Sequence, residues 1–148
     1  MPQIISKQEF RAPADMLEHE RERLHITAPV AALTVASAPL LGTWINCDHA
    51  TRGLVRIMIA AKGNEITVHG FGACTPTPCD WGQVDGRVYS DSVADKQAVA
   101  FTAMYTFNFK QTTIVAHLYE GALFVETFDH FTDESGRADY YSQVVMSK

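Results

Sequence analysis

The chain has 148 residues, of which 47% are apolar and 20% charged. This is ordinary for a single globular domain with a buried core. A formal net charge of −5 and the absence of a Lys/Arg cluster argue against a nucleic-acid partner. No apolar run reaches the roughly 18–20 residues that a membrane-spanning helix needs.

The N-terminal part begins Met-Pro-Gln-Ile-Ile and reaches the acidic stretch Asp15 to Glu22 before any apolar run, unlike a secretory signal. Residues 26–38 loosely mimic a signal core and cleavage site, but Pro29 and Pro39 break the pattern. The expected compartment is therefore the cytoplasm. Pro13, early acidic Asp15 and Glu18, and late basic Arg21 and Arg23 predict a helix over about 13–25, with charges that complement its dipole. Its apolar stripe is thin: Met16, Leu17 and Leu24. Residues 26–39 read as an extended connector. The division is thus 1–38, helix and connector, and 39–148, a β domain.

From Leu40 onward, turn chemistry predicts eight strands, at about 41–47, 53–61, 64–72, 81–89, 98–109, 112–120, 122–131 and 138–147. Lys62-Gly63-Asn64, Glu120-Gly121 and Asp133-Glu134-Ser135-Gly136 are hairpin turns, with Gly available for positive φ. Lys110-Gln111 is a weaker turn, and residues 91–97 form a polar loop. The fold class is all-β: an eight-stranded antiparallel up-and-down barrel with an N-terminal helix.

Those turns set a register. Tyr119 falls opposite Ala122, Thr132 opposite Arg137, and Phe109 opposite Thr112. The last pairing places Phe107 opposite Ile114 and Tyr105 opposite Ala116. One face then collects Phe101, Ala103, Tyr105, Phe107, Ile114, Ala116, Val125, Thr127, Asp129, Tyr140, Ser142 and Val144. It is the richer in apolar and small residues and is assigned inward. Val55, Ile57, Ile59, Ile66, Val68, Val84 and Val88 continue it in the earlier strands. Inward Gly70, Gly86, Ala103 and Ala116 would leave space, and a barrel of this size either fills its lumen or holds one small ligand. Outward Met104, Val115, Phe124 and Phe128 would form an apolar patch, covered by the helix or by the second subunit of a homodimer.

An up-and-down path puts residues 48–52, 73–80, 110–111 and 132–136 at one end. The inward face turns polar there, with Asn46, Asp80, Thr127, Asp129, Tyr140 and Ser142, while the opposite end is apolar. An apolar floor with convergent polar groups at the mouth is the form of a small-molecule site. The same groups would also hydrate an open rim.

Gly42-Thr43-Trp44 at the head of the first strand resembles the Gly-x-Trp signature of the calycin barrels, and Gly42-Thr43-Trp44-Ile45-Asn46 is closer to the avidin/streptavidin version. The resemblance implies that Trp44 helps to close the barrel floor and that Asn46 reaches the ligand.

Several chemistries remain open. Cys74 and Cys79 could close a short disulfide loop, which suits an oxidising compartment. With Cys47 and His49 they could bind zinc, but the Cys-x2-Cys spacing is missing. Reduced thiols in a loop stiffened by Pro76 and Pro78 are the expectation, and neither a metal nor a cofactor is expected. Asp80 and Asp129 could act as general acid or base, with Tyr105 or Tyr140 donating to a developing oxyanion. Alternatively, Asp80 caps the turn before Trp81 and Asp129 pairs with Tyr140. Three functions follow. One is a binding protein for an apolar small molecule, with Trp44, Asn46, Phe101, Tyr105, Phe107, Thr127 and Ser142 lining the site. Another is a cofactor-free isomerase, cyclase or lyase using Asp80, Asp129 and Tyr140 in the same pocket. The third is a protein- or sugar-interaction module with a solid barrel.

Overall fold

The computed structural model describes residues 35–148; the helix expected over 13–25 lies outside them. Eight strands close one antiparallel barrel in sequence order: β1 (Gly42–Asn46), β2 (Leu54–Lys62), β3 (Glu65–Gly72), β4 (Cys79–Ser90), β5 (Ala98–Thr106), β6 (Lys110–Tyr119), β7 (Ala122–Phe131) and β8 (Tyr140–Ser147). Closure is made by β1 and β8, through Ile45 opposite Ser147 and Asn46 opposite Met146. No helix among the described residues is long and apolar enough to cross a membrane.

The β6–β7–β8 register is the expected one, with Tyr119 opposite Ala122, Thr127 opposite Ser142 and Asp129 opposite Tyr140. The β5–β6 register is not. Tyr105 faces Thr112 and Phe101 faces Ala116, because the chain turns at Asn108-Phe109, where the Phe107 N–H donates to the Lys110 carbonyl at 2.8 Å. The turn thus falls two residues earlier than Lys110-Gln111. An even shift leaves every side chain on its expected face, so Phe101, Ala103 and Tyr105 stay inside.

Two bulges do change faces. Leu54 pairs with Gly72 and Arg56 with Phe71, leaving Val55 as the extra residue. Leu54 is therefore buried at 3% exposure, while Val55, expected inside, is only half-buried. In β4, His69 pairs with Gln83 and Phe71 with Asp80. Trp81 and Gly82 together oppose Gly70, and Gly82 takes a φ of 82°, the left-handed geometry that glycine supplies at such bulges.

The floor half of the barrel is solid. Trp44, Ile57, Ile66, Phe101, Ile114, Leu123, Val125 and Met146 are all essentially inaccessible. Trp44 donates its indole N–H to the Leu40 carbonyl at 2.9 Å, so the short 3-10 turn Ala38–Leu40 closes the floor. Below it, Ala36 bridges to Gln97. The Lys148 ammonium lies 4.9 Å from the Trp44 ring centre. The inward small residues do not leave the expected voids. A Cβ at Gly86 would stand 2.9–3.1 Å from Val68 and Ile66 side-chain atoms, so those side chains already fill the space.

Candidate functional site

The bulge in β4 builds the mouth. Inserting one residue moves Trp81 from the outer to the inner face and sends Asp80 the other way. Trp81 enters over two glycines: a Cβ at Gly72 would lie 2.6 Å from its Nε1, and one at Gly70 would lie 3.2 Å from its Cε3. Tyr105 braces the arrangement from β5. Its buried hydroxyl accepts the Gly70 N–H at 2.8 Å and donates to the Gly82 carbonyl at 2.7 Å. These are backbone groups of the two residues at the bulge. Burial pushes the Tyr105 phenol above its ordinary value, so it stays protonated at neutral pH. Tyr105 is committed to the backbone and holds the site rather than facing a ligand.

Asp80 is correspondingly corrected. It is an exposed outer residue that accepts the Gly82 N–H at 2.7 Å and pairs with His69 Nε2 at 2.5 Å. The backbone N–H first, and then His69, hold its carboxyl below the usual range. The geometry is that of a turn cap, and it removes Asp80 from the lumen chemistry.

Asp129 lies where the sequence places it, inside and 5% exposed. It accepts a hydrogen bond from the Thr112 hydroxyl and an ion pair from Lys110 Nζ at 3.1 Å. Tyr140 stands beside it. Burial, and then the Asp129 charge, push the Tyr140 phenol above its ordinary value, so it remains a donor. The hydroxyls of Thr127 and Ser142 bond each other across β7 and β8.

Lys110 was missed in the sequence because it reads as a turn residue. Once the turn moves to Asn108-Phe109, Lys110 becomes the first residue of β6, in phase with inward Thr112 and Ile114. Its side chain is 14% exposed, and its ammonium lies 5.7 Å from the ring centres of Trp81, Phe107 and Phe109, within cation–π range. Trp81 was missed because strict alternation puts it outside; Gly82 within a strand was the available sign of a bulge.

These groups line a cavity of about 460 Å³. Leu54, Gly72, Trp81 and Val144 form an apolar wall. Lys110, Thr127, Asp129, Tyr140 and Ser142 form a polar one, with Asp48 and Arg52 at the rim. Five expected ligand contacts do not line it: Trp44 and Phe101 lie in the solid core, Tyr105 braces the bulge, Phe107 packs behind Trp81 at 5.6 Å between ring centres, and Asn46 turns to the backbone. Asn46 is buried, and both ends of its amide are engaged, with the Leu54 carbonyl and the Asp48 N–H. It shapes the β1–β2 loop.

Cys74 and Cys79 are joined in a disulfide, which corrects the expectation of reduced thiols and takes two thiols away from the zinc alternative. Disulfides persist in oxidising compartments, so the pairing also speaks against the cytoplasmic expectation. Cys47 is free and exposed.

A larger groove, about 770 Å³, runs over the outer face from the end of β2 to β6. It is bridged by the exposed pairs Lys62–Asp85 and Arg87–Glu65, which makes it a solvated face rather than a convergent site. No protein-family model, curated protein or solved structure matches the chain.

Proposed function

We propose that the protein binds a small molecule in the mouth of a calycin-like barrel. The observation that carries this reading is the half-filled lumen: the floor is solid, and the mouth keeps about 460 Å³ between an apolar and a polar wall. That volume lies within the range of small-ligand sites. The closed eight-strand meander and Trp44 on the floor support the calycin reading. The remaining space weighs against the solid-barrel interaction module. The disulfide favours an oxidising compartment. The exposed outer row of Met104, Phe128 and Tyr141, aligned across β5–β8 through Thr113, is where a second copy of the chain would sit.

The test is a thermal-shift screen of a metabolite library against the wild type and Ser142→Phe, which fills the cavity. A ligand at a hundred times its Kd stabilises by about 2.7 kcal/mol, enough to move the Tm by several degrees. The expected result is a set of compounds that shift the wild type and not the filled variant. No shift, or equal shifts in both, would overturn the reading.

A second reading keeps the same cavity for acid–base catalysis, favoured by a buried carboxylate, Asp129, between a cation and the Tyr140 hydroxyl. Compounds found in the screen would be incubated with the protein and analysed for conversion. Conversion that is lost in Asp129→Asn would establish the enzyme; no conversion of any binder would leave the binding protein.

A further inference from the structure

The donors and acceptors on the polar wall do not balance. Asp129 Oδ1 already receives Thr112 and Lys110, and Tyr140 stands beside the same carboxylate. Thr127 and Ser142 have each other, which leaves one hydroxyl hydrogen over. At the rim, Asp48 Oδ1 accepts the Ala50 N–H. Lys110 is different. An ammonium has three N–H donors, and its ion pair with Asp129 at 3.1 Å is its one carboxylate contact among the described residues. Its other close neighbours are the three aromatic rings, which attract the cation but do not take up its N–H groups as an oxygen would. A cation this deeply placed needs oxygen acceptors, and the cavity is where they can come from. Arg52 adds a second cation at the rim, with Asp48 the carboxylate nearest to it in sequence.

We propose that the mouth cavity selects a ligand carrying an oxyanion, a carboxylate or a sulfonate, on a compact apolar body, with Lys110 as the anchoring residue. This rests on the mouth cavity being the ligand site. The body lies against Trp81, Leu54 and Val144, and the head replaces water on Lys110. The solid floor, with Phe101 and Ile114 beneath, restricts the body to a ring system or short chain rather than a long one. Asp129 holds Lys110 in place and also opposes the ligand's charge, so it sets affinity in the direction opposite to Lys110.

Two dyes sharing one ring system separate these terms. 8-Anilinonaphthalene-1-sulfonate carries the oxyanion, and N-phenyl-1-naphthylamine lacks it. Both are titrated by fluorescence against the full chain with its disulfide intact. A charge-assisted hydrogen bond corresponds to about tenfold in affinity, so the wild type should prefer the sulfonate by about that factor. Asp129→Asn should tighten the sulfonate several-fold and leave the neutral dye within about twofold. Lys110→Met alone would strand a buried carboxylate and risk unfolding. The double variant Lys110→Met/Asp129→Asn removes both charges and should abolish the preference. Equal binding of the two dyes by the wild type, or a preference that survives in the double variant, would overturn the anion proposal while leaving the cavity as a ligand site. Failure of both dyes to bind, or equal binding by Ser142→Phe, would overturn the cavity reading and this proposal together.

Discussion

Tyr105→Phe tests the construction of the mouth. The substitution keeps the ring, its edge contact with Trp81 at 5.6 Å and its stacking on Phe107 at 5.4 Å. It removes only the oxygen that serves Gly70 N–H and Gly82 C=O at 2.8 and 2.7 Å. Leaving a buried polar group without a partner costs about 1–3 kcal/mol. The Gly70 bond is buried and the Gly82 bond partly so, and together they give an expected loss of about 2–4 kcal/mol. With a urea m-value of about 2 kcal/mol/M for a domain of this size, the denaturation midpoint should fall by about 1–2 M with no change in m. Exchange of the Gly70 amide should accelerate, since it loses its acceptor. The wild type should also lose stability as pH rises past the ordinary tyrosine value of 10.0. Its folded phenol titrates higher than that, so the unfolded chain sheds the proton first; Tyr105→Phe lacks this component. A loss below about 0.5 kcal/mol, or an unchanged Gly70 exchange rate, would refute the brace and reopen Tyr105 as a ligand contact.

Two further outcomes are expected. Asp80→Asn should lower the Tm at neutral pH and converge on the wild type in acid. The folded carboxyl titrates below its ordinary value of 3.8, so its contribution is present above that value and lost as pH falls through the lower folded one; parallel Tm–pH curves for the two proteins would contradict the capping role. Gly72→Ala should cost about 1–3 kcal/mol by overpacking, because its Cβ would sit 2.6 Å from Trp81 Nε1. The Trp81 fluorescence should shift as the ring is displaced, and a neutral change would show that Trp81 is not seated there.

The two halves of the barrel were legible to different degrees. β6, β7 and β8 are regular strands, and the glycine turn Glu120-Gly121 joins the first two. Alternation therefore carries Asp129, Thr127 and Ser142 onto the inner face without ambiguity. The β5–β6 turn lacked such a marker, so its position slipped by two residues, yet the period of two hid the error from every face assignment. Bulges are where this reasoning fails. A single extra residue inverts the strand on one side of it, here the side toward the mouth, and so Leu54 took the place of Val55 and Trp81 the place of Asp80.

The sequence by itself determined the strand count, the meander, the inner face and the apolar floor, because hydrophobic period and turn chemistry are local properties. It also located four members of the site, Thr127, Asp129, Tyr140 and Ser142. Only the tertiary structure decided what stands around them. Trp81 is brought to the mouth by a bulge, Lys110 by the early β5–β6 turn, and Tyr105, expected inside, is taken up by the bulge backbone. A bulge is stabilised by contacts from other strands: the Gly70 and Gly72 cradle on β3 and the Tyr105 hydroxyl on β5. Those contacts are remote in sequence, and whether the lumen is open or filled depends on how side chains from all eight strands meet. No local pattern encodes that sum.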